Sequence, residues 1–167
     1  LPARLTEWKG HVTFIKSIKI LDNKKFKFLI VGDGCNTYKN KLQNMINDNQ
    51  LNALIDTDCQ DIYALYNIAD IIVNCSTKEE TFGRVNIEAQ ASGKIIISTN
   101  IGGSKELINH NIDGYLIEPN NEIELSNMIT YALNNPLNVK NILNNAEKYD
   151  ISYYEKNILK LYSDISK

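Results

Sequence analysis

The chain has 167 residues, of which 43% are hydrophobic and 23% are charged, a composition typical of one globular domain and not of a disordered segment. Its formal net charge of −2 lacks the basic excess of nucleic-acid-binding proteins, and no apolar run reaches the roughly 18 residues of a membrane-spanning helix. The three cysteines, Cys35, Cys59 and Cys75, form no C-x-x-C pair. We therefore expect no nucleic-acid partner, zinc site or disulfide framework, and we expect a reduced, cytoplasmic protein.

The predicted secondary structure alternates between strands and helices. Short β-branched runs that stop at turn residues are typical of strands buried on both faces of a parallel sheet. Such runs lie at 27–32, 71–75 and 94–99, with weaker candidates at 1–4, 51–55 and 115–117. Apolar residues at helical spacing fill the intervals, at 11–21, around 42–46, and at 62–69, 84–92, 122–133, 139–148 and 153–165. The apolar stripe of the last helix is expected to belong to the core.

This alternation predicts an α/β fold, a Rossmann-like doubly wound parallel sheet built from right-handed βαβ units. In the strand order 3-2-1-4-5-6, the first and fourth strands are neighbours, and ligands bind outside their carboxyl ends. The loops after these two strands, at 4–10 and 76–83, should therefore face each other.

Those two loops contain the residue types that a nucleotide sugar requires. The first has Arg4 and Lys9 before Gly10 at a helix start, which suits a pyrophosphate because cations and free backbone N–H groups attract anions. The second has Glu80, with Glu88 farther along the next helix, and carboxylates accept strong hydrogen bonds from sugar hydroxyl groups. The first strand is not followed by the G-x-G-x-x-G of a dinucleotide site, and the chain has no P-loop motif.

Six short motifs follow one another in register. Residues 80–88 read E-T-F-G-R-V-N-I-E, and residues 4–10 read R-L-T-E-W-K-G. Residues 29–34 fit the pattern h-h-V-G-x-G, in which h is an apolar residue. The remaining three are A-D-h-h-h at 69–73, G-G-x-x-E at 102–106 and G-x-L-h-x-P at 114–119. Together they resemble, over nearly the whole chain, the family-4 retaining glycosyltransferases and their E-x7-E motif.

The resemblance implies that residues 1–167 are the C-terminal, donor-binding half of a GT-B fold, without the N-terminal acceptor domain. That domain would be supplied in cis or by a separate chain. The resemblance also implies that the last helix can reach back to that domain, so that here it could be left partly undocked. Catalytic roles are implied for Arg4 and Lys9 at the donor pyrophosphate and for Glu80 at the transferred sugar. No metal or other cofactor is implied, because the substrate is itself a nucleoside-diphosphate sugar of UDP or GDP type.

Further donor-binding roles are implied at the start of the helix that follows the second loop. Phe82, Gly83 and Arg84 would offer backbone N–H groups to the sugar or phosphate, and Glu88 would bind the ribose diol. The alternative for Glu88 is a plain i,i+4 ion pair with Arg84, although the motif favours ribose binding. Similarly, residues 102–103 could be only a turn. His11 and His110 are expected to be structural or solvent-exposed.

The resemblance further implies transfer of a hexose to a cell-envelope acceptor such as lipopolysaccharide core. The full enzyme would be cytoplasmic, with peripheral association at the inner face of the membrane as an option, and the isolated domain would be inactive. A non-catalytic nucleotide-sugar-binding remnant, an interaction subunit of a split glycosyltransferase and a flavodoxin-like or signalling domain remain alternatives. The last predicts that the four charged site residues do not converge. Ala3, Cys75 and the loop at 56–59 depart from the family pattern, and the loop leaves the identity of the base open.

Overall fold

The computed structural model describes residues 1–21 and 25–165, and it contains the predicted alternation of strands and helices. The strands of this part of the chain are β1 (Phe28–Val31), β2 (Ala53–Asp56), β3 (Ile71–Asn74), β4 (Ile95–Thr99) and β5 (Tyr115–Ile117). A short 3-10 turn at Glu7–Lys9 precedes the first helix. The helices are α1 (His11–Ile20), α2 (Asn36–Asp48), α3 (Ile62–Ile68), α4 (Arg84–Ala91), α5 (Ser104–Leu107), α6 (Glu122–Asn134), α7 (Val139–Glu147) and α8 (Ile151–Ile165).

Every strand pair in the described residues is parallel. β1 pairs with β2, so that Ile30 lies opposite Ile55. β4 lies between β3 and β5, with Ile97 opposite both Val73 and Tyr115. These pairings agree with the two halves of the predicted doubly wound sheet.

The segment before the 3-10 turn takes the place of the predicted first strand. It runs beside β1 through two isolated parallel bridges, Pro2 to Val31 and Leu5 to Gly34, and not as the regular strand predicted at 1–4. The Ala3 N–H still donates to the Val31 carbonyl at 2.8 Å. β1 ends at Val31, and Gly32 follows it with φ 146°.

One hydrophobic cluster joins the β1–β2 pair to the β3–β5 sheet. Ile30 of β1, Ile97 of β4, Ile18 of α1, Leu42 of α2 and Leu125 of α6 are all fully buried in it. A second, smaller cluster that includes side chains of α3 and α4 covers the alternate residues of β3 and β4, and therefore the opposite face of that sheet. Helices thus cover both faces, as expected for a parallel sheet.

The last helix decides between two expectations. Its apolar stripe predicts a place in the core, whereas the resemblance allows a helix that is left partly undocked. α8 has no buried residue, and Tyr154 and Ile165 are 65% and 73% exposed, so the core expectation is wrong. The periodicity at 153–165 did identify a helix, but none of its described residues is buried. No helix in 1–21 and 25–165 combines the length and apolar character that crossing a bilayer requires.

Candidate donor site at the sheet edge

The loops after the N-terminal segment and after β3 meet, as the topology predicted. The Thr77 N–H donates to the Trp8 carbonyl at 2.7 Å. Lys9 Nζ lies 2.8 Å from Glu80 Oε1, and the two side chains are only 15% and 13% exposed. The same Lys9 ammonium lies 4.4 Å from the centre of the Trp8 ring, at cation–π distance. The Ser76 hydroxyl donates to the Glu80 carboxylate. We call this meeting point, residues 8–10 with 75–80, the junction.

Gly10 allows the junction to close. Its φ is 73°, and a Cβ built on it would lie 1.9 Å from the Cys75 carbonyl oxygen. No other residue type could start α1 there without moving the end of β3. Burial raises the pKa of the Cys75 thiol to about 12, so this cysteine stays protonated and unreactive at neutral pH.

A pair of glycines supports the Glu80 loop from behind. The Gly103 N–H donates to the Glu80 carbonyl at 2.9 Å. A Cβ on Gly102 would lie 2.6 Å from that same carbonyl oxygen, and one on Gly103 would lie 2.7 Å from the Phe82 oxygen. Residues 102–103 are therefore more than a turn, because their missing side chains let the two backbones touch.

The start of α4 has the features of an anion site. Gly83 begins the helix with φ 81° and no side-chain cap. Within the described part of the chain, the N–H groups of Gly83 and Arg84 have no acceptor. Free amides at a helix N-terminus attract negative charge. Phe82 is half-exposed beside them, and its ring meets the Tyr149 ring edge-to-face at 5.9 Å.

Glu88 lies farther along α4 and has two partners of its own. Arg84 Nη2 lies 3.1 Å from its Oε1, so the plain i,i+4 ion pair does form. The Tyr66 hydroxyl of α3 donates to its Oε2 at 2.9 Å. Tyr66 is 1% exposed, and burial followed by the Glu88 charge raises the pKa of its hydroxyl. The sequence analysis missed this tyrosine, because only the packing of α3 on α4 brings it there.

A buried polar network behind the junction was also missed. Asn86 of α4 accepts from Asn74 of β3 at 3.2 Å and donates to Ser104 of α5 at 3.0 Å. Ser104 in turn accepts from Ser98 of β4 at 3.0 Å, and Ser76 Oγ lies 3.0 Å from Asn74 Oδ1. Polar residues inside apolar strand and helix patterns were the available signal.

Of the predicted site residues, the structure joins Lys9 directly to Glu80. Arg4 lies on the exposed side of the same loop, and in 1–21 and 25–165 neither Arg4 nor Glu88 forms a hydrogen bond or ion pair with that pair. Convergence of all four on one cleft therefore stays a prediction.

His11 is fully buried, neither ring nitrogen has a hydrogen-bond partner in the described chain, and burial lowers its pKa to about 4. No cluster of three or more metal-ligating side chains occurs in the described ranges.

Comparison with known proteins identifies the family. The sequence model of the family described as Glycosyl transferases group 1 matches residues 2–149 of this chain. The chain belongs to the group 1 glycosyltransferases. It is 33% identical to a glycosyltransferase of Rickettsia africae, with a TM-score of 0.88 over 99% of this chain and 47% of that one. This agreement over nearly the whole chain shows the Rossmann-like GT-B architecture.

Two further similar proteins have names that mention a ligand or a substrate. An Anabaena protein, HepE, crystallised with UDP-glucose, is 27% identical with a TM-score of 0.88, over 97% of this chain and 47% of its own. An α-1,4-N-acetyl-D-galactosaminyltransferase of Campylobacter jejuni, named for a PP-undecaprenol-linked glycan, is 29% identical over 97% of this chain and 46% of its own. The chain spans about half the length of the curated relatives it matches.

Proposed function

We propose that this chain is the donor-binding domain of a retaining glycosyltransferase that transfers a hexose from a nucleoside-diphosphate sugar to a cell-envelope glycan or lipid, such as lipopolysaccharide core. The observation that carries the proposal is the Lys9–Glu80 ion pair at 2.8 Å. It brings a cation and a hydroxyl-binding carboxylate together at the carboxyl edge of the sheet. Both side chains are mostly shielded from water. Charge interactions are stronger there than in bulk water.

The donor would bind across the junction. Arg4 and Lys9 would contact the pyrophosphate, and Lys9 would offset the charge that develops on the leaving diphosphate. The free N–H groups at the start of α4 would bind a phosphate or sugar oxygen, since the helix dipole adds to their attraction for anions. Glu80 would accept hydrogen bonds from sugar hydroxyls, and Glu88 would accept them from the ribose diol.

The nucleotide is proposed to be of UDP or GDP type. HepE, which shares the fold over nearly the whole chain, was crystallised with UDP-glucose, and this makes UDP the first probe. The loop at 56–59 is polar. Asp56 Oδ1 accepts from the Asp58 N–H within the loop at 2.9 Å, and the Thr57 hydroxyl accepts from Lys39 of α2 at 3.0 Å. It is the proposed contact for the base.

Transfer requires an acceptor site, which a second domain in cis or in a separate chain would supply. Positioning of two reactants is worth about 7–11 kcal/mol of barrier, so transfer by this domain alone should be negligible. The relatives of this chain are about twice its length, which supports the requirement for a second domain. The Campylobacter relative, named for a lipid-linked glycan, supports a cell-envelope acceptor and a reaction at the cytoplasmic face of the membrane.

Calorimetric titration tests the proposal directly. The chain is titrated with UDP, GDP and ADP, each beside one of its sugar conjugates. We expect one diphosphate to bind, and we expect Lys9→Ala and Glu88→Ala each to weaken it about tenfold or more, because each removes a charged partner. Lys16→Ala on α1 and Glu147→Ala on α7 are matched controls away from the junction and should leave the affinity unchanged.

Two other outcomes would change the conclusion. A folded wild-type sample that binds none of the six ligands contradicts a working donor site and leaves only shared ancestry. Binding that survives both Lys9→Ala and Glu88→Ala places the ligand elsewhere on the surface.

A further inference from the structure

Tyr66 is the one buried side chain of α3 that reaches the candidate site. It lies near the C-terminal end of a seven-residue helix whose two ends are both fixed. At the N-terminus, the Asp61 carboxylate accepts from the Ala64 N–H at 3.0 Å. Near the C-terminus, Lys94 Nζ donates to the Asn67 carbonyl at 2.8 Å. The Tyr66 ring packs in the smaller hydrophobic cluster, so its hydroxyl has little freedom to move.

That hydroxyl is bonded to Glu88 alone among the described groups. It donates to Oε2 at 2.9 Å, while Oε1 faces the Arg84 guanidinium at 3.1 Å. The two partners differ in exposure, because Arg84 is 82% exposed and Tyr66 is 1% exposed. An exposed arginine is easily displaced, since a surface ion pair is worth only about 0.2–1 kcal/mol. The tyrosine is held in place by the core.

We propose that Tyr66 is a positioning residue for nucleotide binding. It fixes Glu88 through Oε2, so that Oε1 is directed outward to accept a ribose hydroxyl once Arg84 is displaced. The inference rests on the proposed function, because it assigns a support to the carboxylate that would bind ribose. A carboxylate held by a rigid donor loses less conformational freedom on binding, and this increases affinity without adding a contact to the ligand.

A positioning role and a merely structural role of Tyr66 predict different changes in nucleotide affinity. If Tyr66 acts through Glu88, its hydroxyl matters only for ligands that carry ribose hydroxyls. UDP and 2′,3′-dideoxy-UDP differ in those hydroxyls alone. Partial loss of folding would weaken both ligands equally, whereas loss of positioning would weaken UDP alone.

The experiment is calorimetric titration of wild type, Tyr66→Phe and Tyr63→Phe with this pair of ligands. Tyr63 is the matched control, because it lies on the same helix with an exposed side chain and its ring contacts the Tyr66 ring. Wild type should favour UDP over the dideoxy form by about tenfold or more, as expected for hydrogen bonds to a charged group. Tyr66→Phe should weaken UDP by about five- to tenfold while leaving the dideoxy form within about twofold, and Tyr63→Phe should change neither. If GDP or ADP is the nucleotide that binds, its own dideoxy form replaces that of UDP.

A double variant sharpens the test. In a Glu88→Gln background, Tyr66→Phe should have no further effect on UDP, since the charged partner through which it acts is gone. Equal weakening of both ligands by Tyr66→Phe, or no weakening, would overturn the positioning role. Equal affinity of the wild-type protein for UDP and its dideoxy form would overturn it as well, because Glu88 would then make no hydrogen bond to the ribose hydroxyls. Absence of all nucleotide binding would instead overturn the proposed function itself.

Discussion

Glu80 and Glu88 stand eight residues apart, and their carboxylates pair with different cations. Glu80 faces Lys9 in the junction, where both side chains are mostly buried and Ser76 adds a hydrogen bond. Glu88 faces Arg84, whose side chain is 82% exposed. The first pair joins two loops from distant parts of the chain and belongs to the packing of the sheet edge. The second pair lies on the surface of one helix. The same residue type, eight positions apart, therefore forms a mostly buried ion pair between two loops in one place and an exposed ion pair on one helix in the other.

The largest effect should come from separating the two loops of the junction. In Gly10→Ala the new Cβ would lie 1.9 Å from the Cys75 carbonyl oxygen, at a backbone φ of 73°. We expect the free energy of unfolding to fall by about 3–5 kcal/mol, because the backbone of α1 or β3 must move. Urea denaturation measures this. Gly93→Ala is the control, because its φ is 66° but its nearest neighbour is a Val139 methyl at 3.3 Å. It should cost only about 1–2 kcal/mol. Equal losses in the two variants would contradict the close approach at Cys75.

A second effect concerns acid stability behind the junction. The pKa of buried His11 is lowered to about 4, below the usual value of 6.5. Between these two pH values the unfolded chain binds a proton that the folded chain does not. The contribution of neutral His11 to the free energy of unfolding is therefore complete above pH 6.5. It is lost as the pH falls toward 4, which lowers the free energy of unfolding by up to about 3 kcal/mol.

Stability measured from pH 7 to pH 4 tests this, with His11→Phe as the variant. Phenylalanine keeps a ring beside Tyr38 and cannot be protonated, so this variant should lose much of the slope. His110→Gln, which alters an exposed histidine, should retain the slope. An unchanged slope in His11→Phe would assign the acid sensitivity to carboxylates.

A third effect separates the two glutamates by ligand. Glu88→Ala should weaken UDP binding by about 1.5–3 kcal/mol, because in the proposed donor site Glu88 would be a charged acceptor for the ribose. Glu80→Ala should leave the affinity for UDP unchanged or increase it, since in the proposed donor site Glu80 would contact only the sugar and its removal would free Lys9 for the pyrophosphate. Titration of both variants with UDP and UDP-glucose measures the contrast. A greater loss of UDP affinity in Glu80→Ala would reverse the assignment.

The smallest effect is the loss in free energy of unfolding when each of the two cations is replaced in the absence of ligand. Lys9→Met should reduce the free energy of unfolding by about 1–2 kcal/mol, because it leaves a mostly buried carboxylate without its cation. Arg84→Met should change it by less than about 0.5 kcal/mol, as is usual for an exposed i,i+4 pair. Thermal unfolding of both variants in low and high salt measures the difference, and equal values would contradict the distinction between the two pairs.

Local patterns predicted the elements and the meeting of the two loops. The buried runs that became β1, β3 and β4 and the helix that begins after Gly83 follow from apolar periodicity and glycine chemistry. The proximity of Lys9 and Glu80 followed from strand order alone, because carboxyl ends of neighbouring parallel strands share one edge.

Contacts across elements could not be predicted in the same way. Tyr66 looked like one apolar residue of α3, and its bond to Glu88 depends on how α3 lies against α4. Asn86 looked like a neutral helix residue, and its two buried partners come from β3 and α5. The exposure of α8 depends on which surfaces are available to cover it, and helical periodicity does not contain that information.

The junction also affects how the chain folds. Lys9 precedes β1 and Glu80 follows β3, so their ion pair forms only after the intervening βαβ crossovers have closed a long loop. A partly folded chain that contains either half alone has no junction. A nucleotide that binds there would recognise only the native state, and at 100 times its Kd it would add about 2.7 kcal/mol to the free energy of unfolding. Donor occupancy would thus report native folding, and a cell with abundant nucleotide sugar would protect this domain from proteolysis.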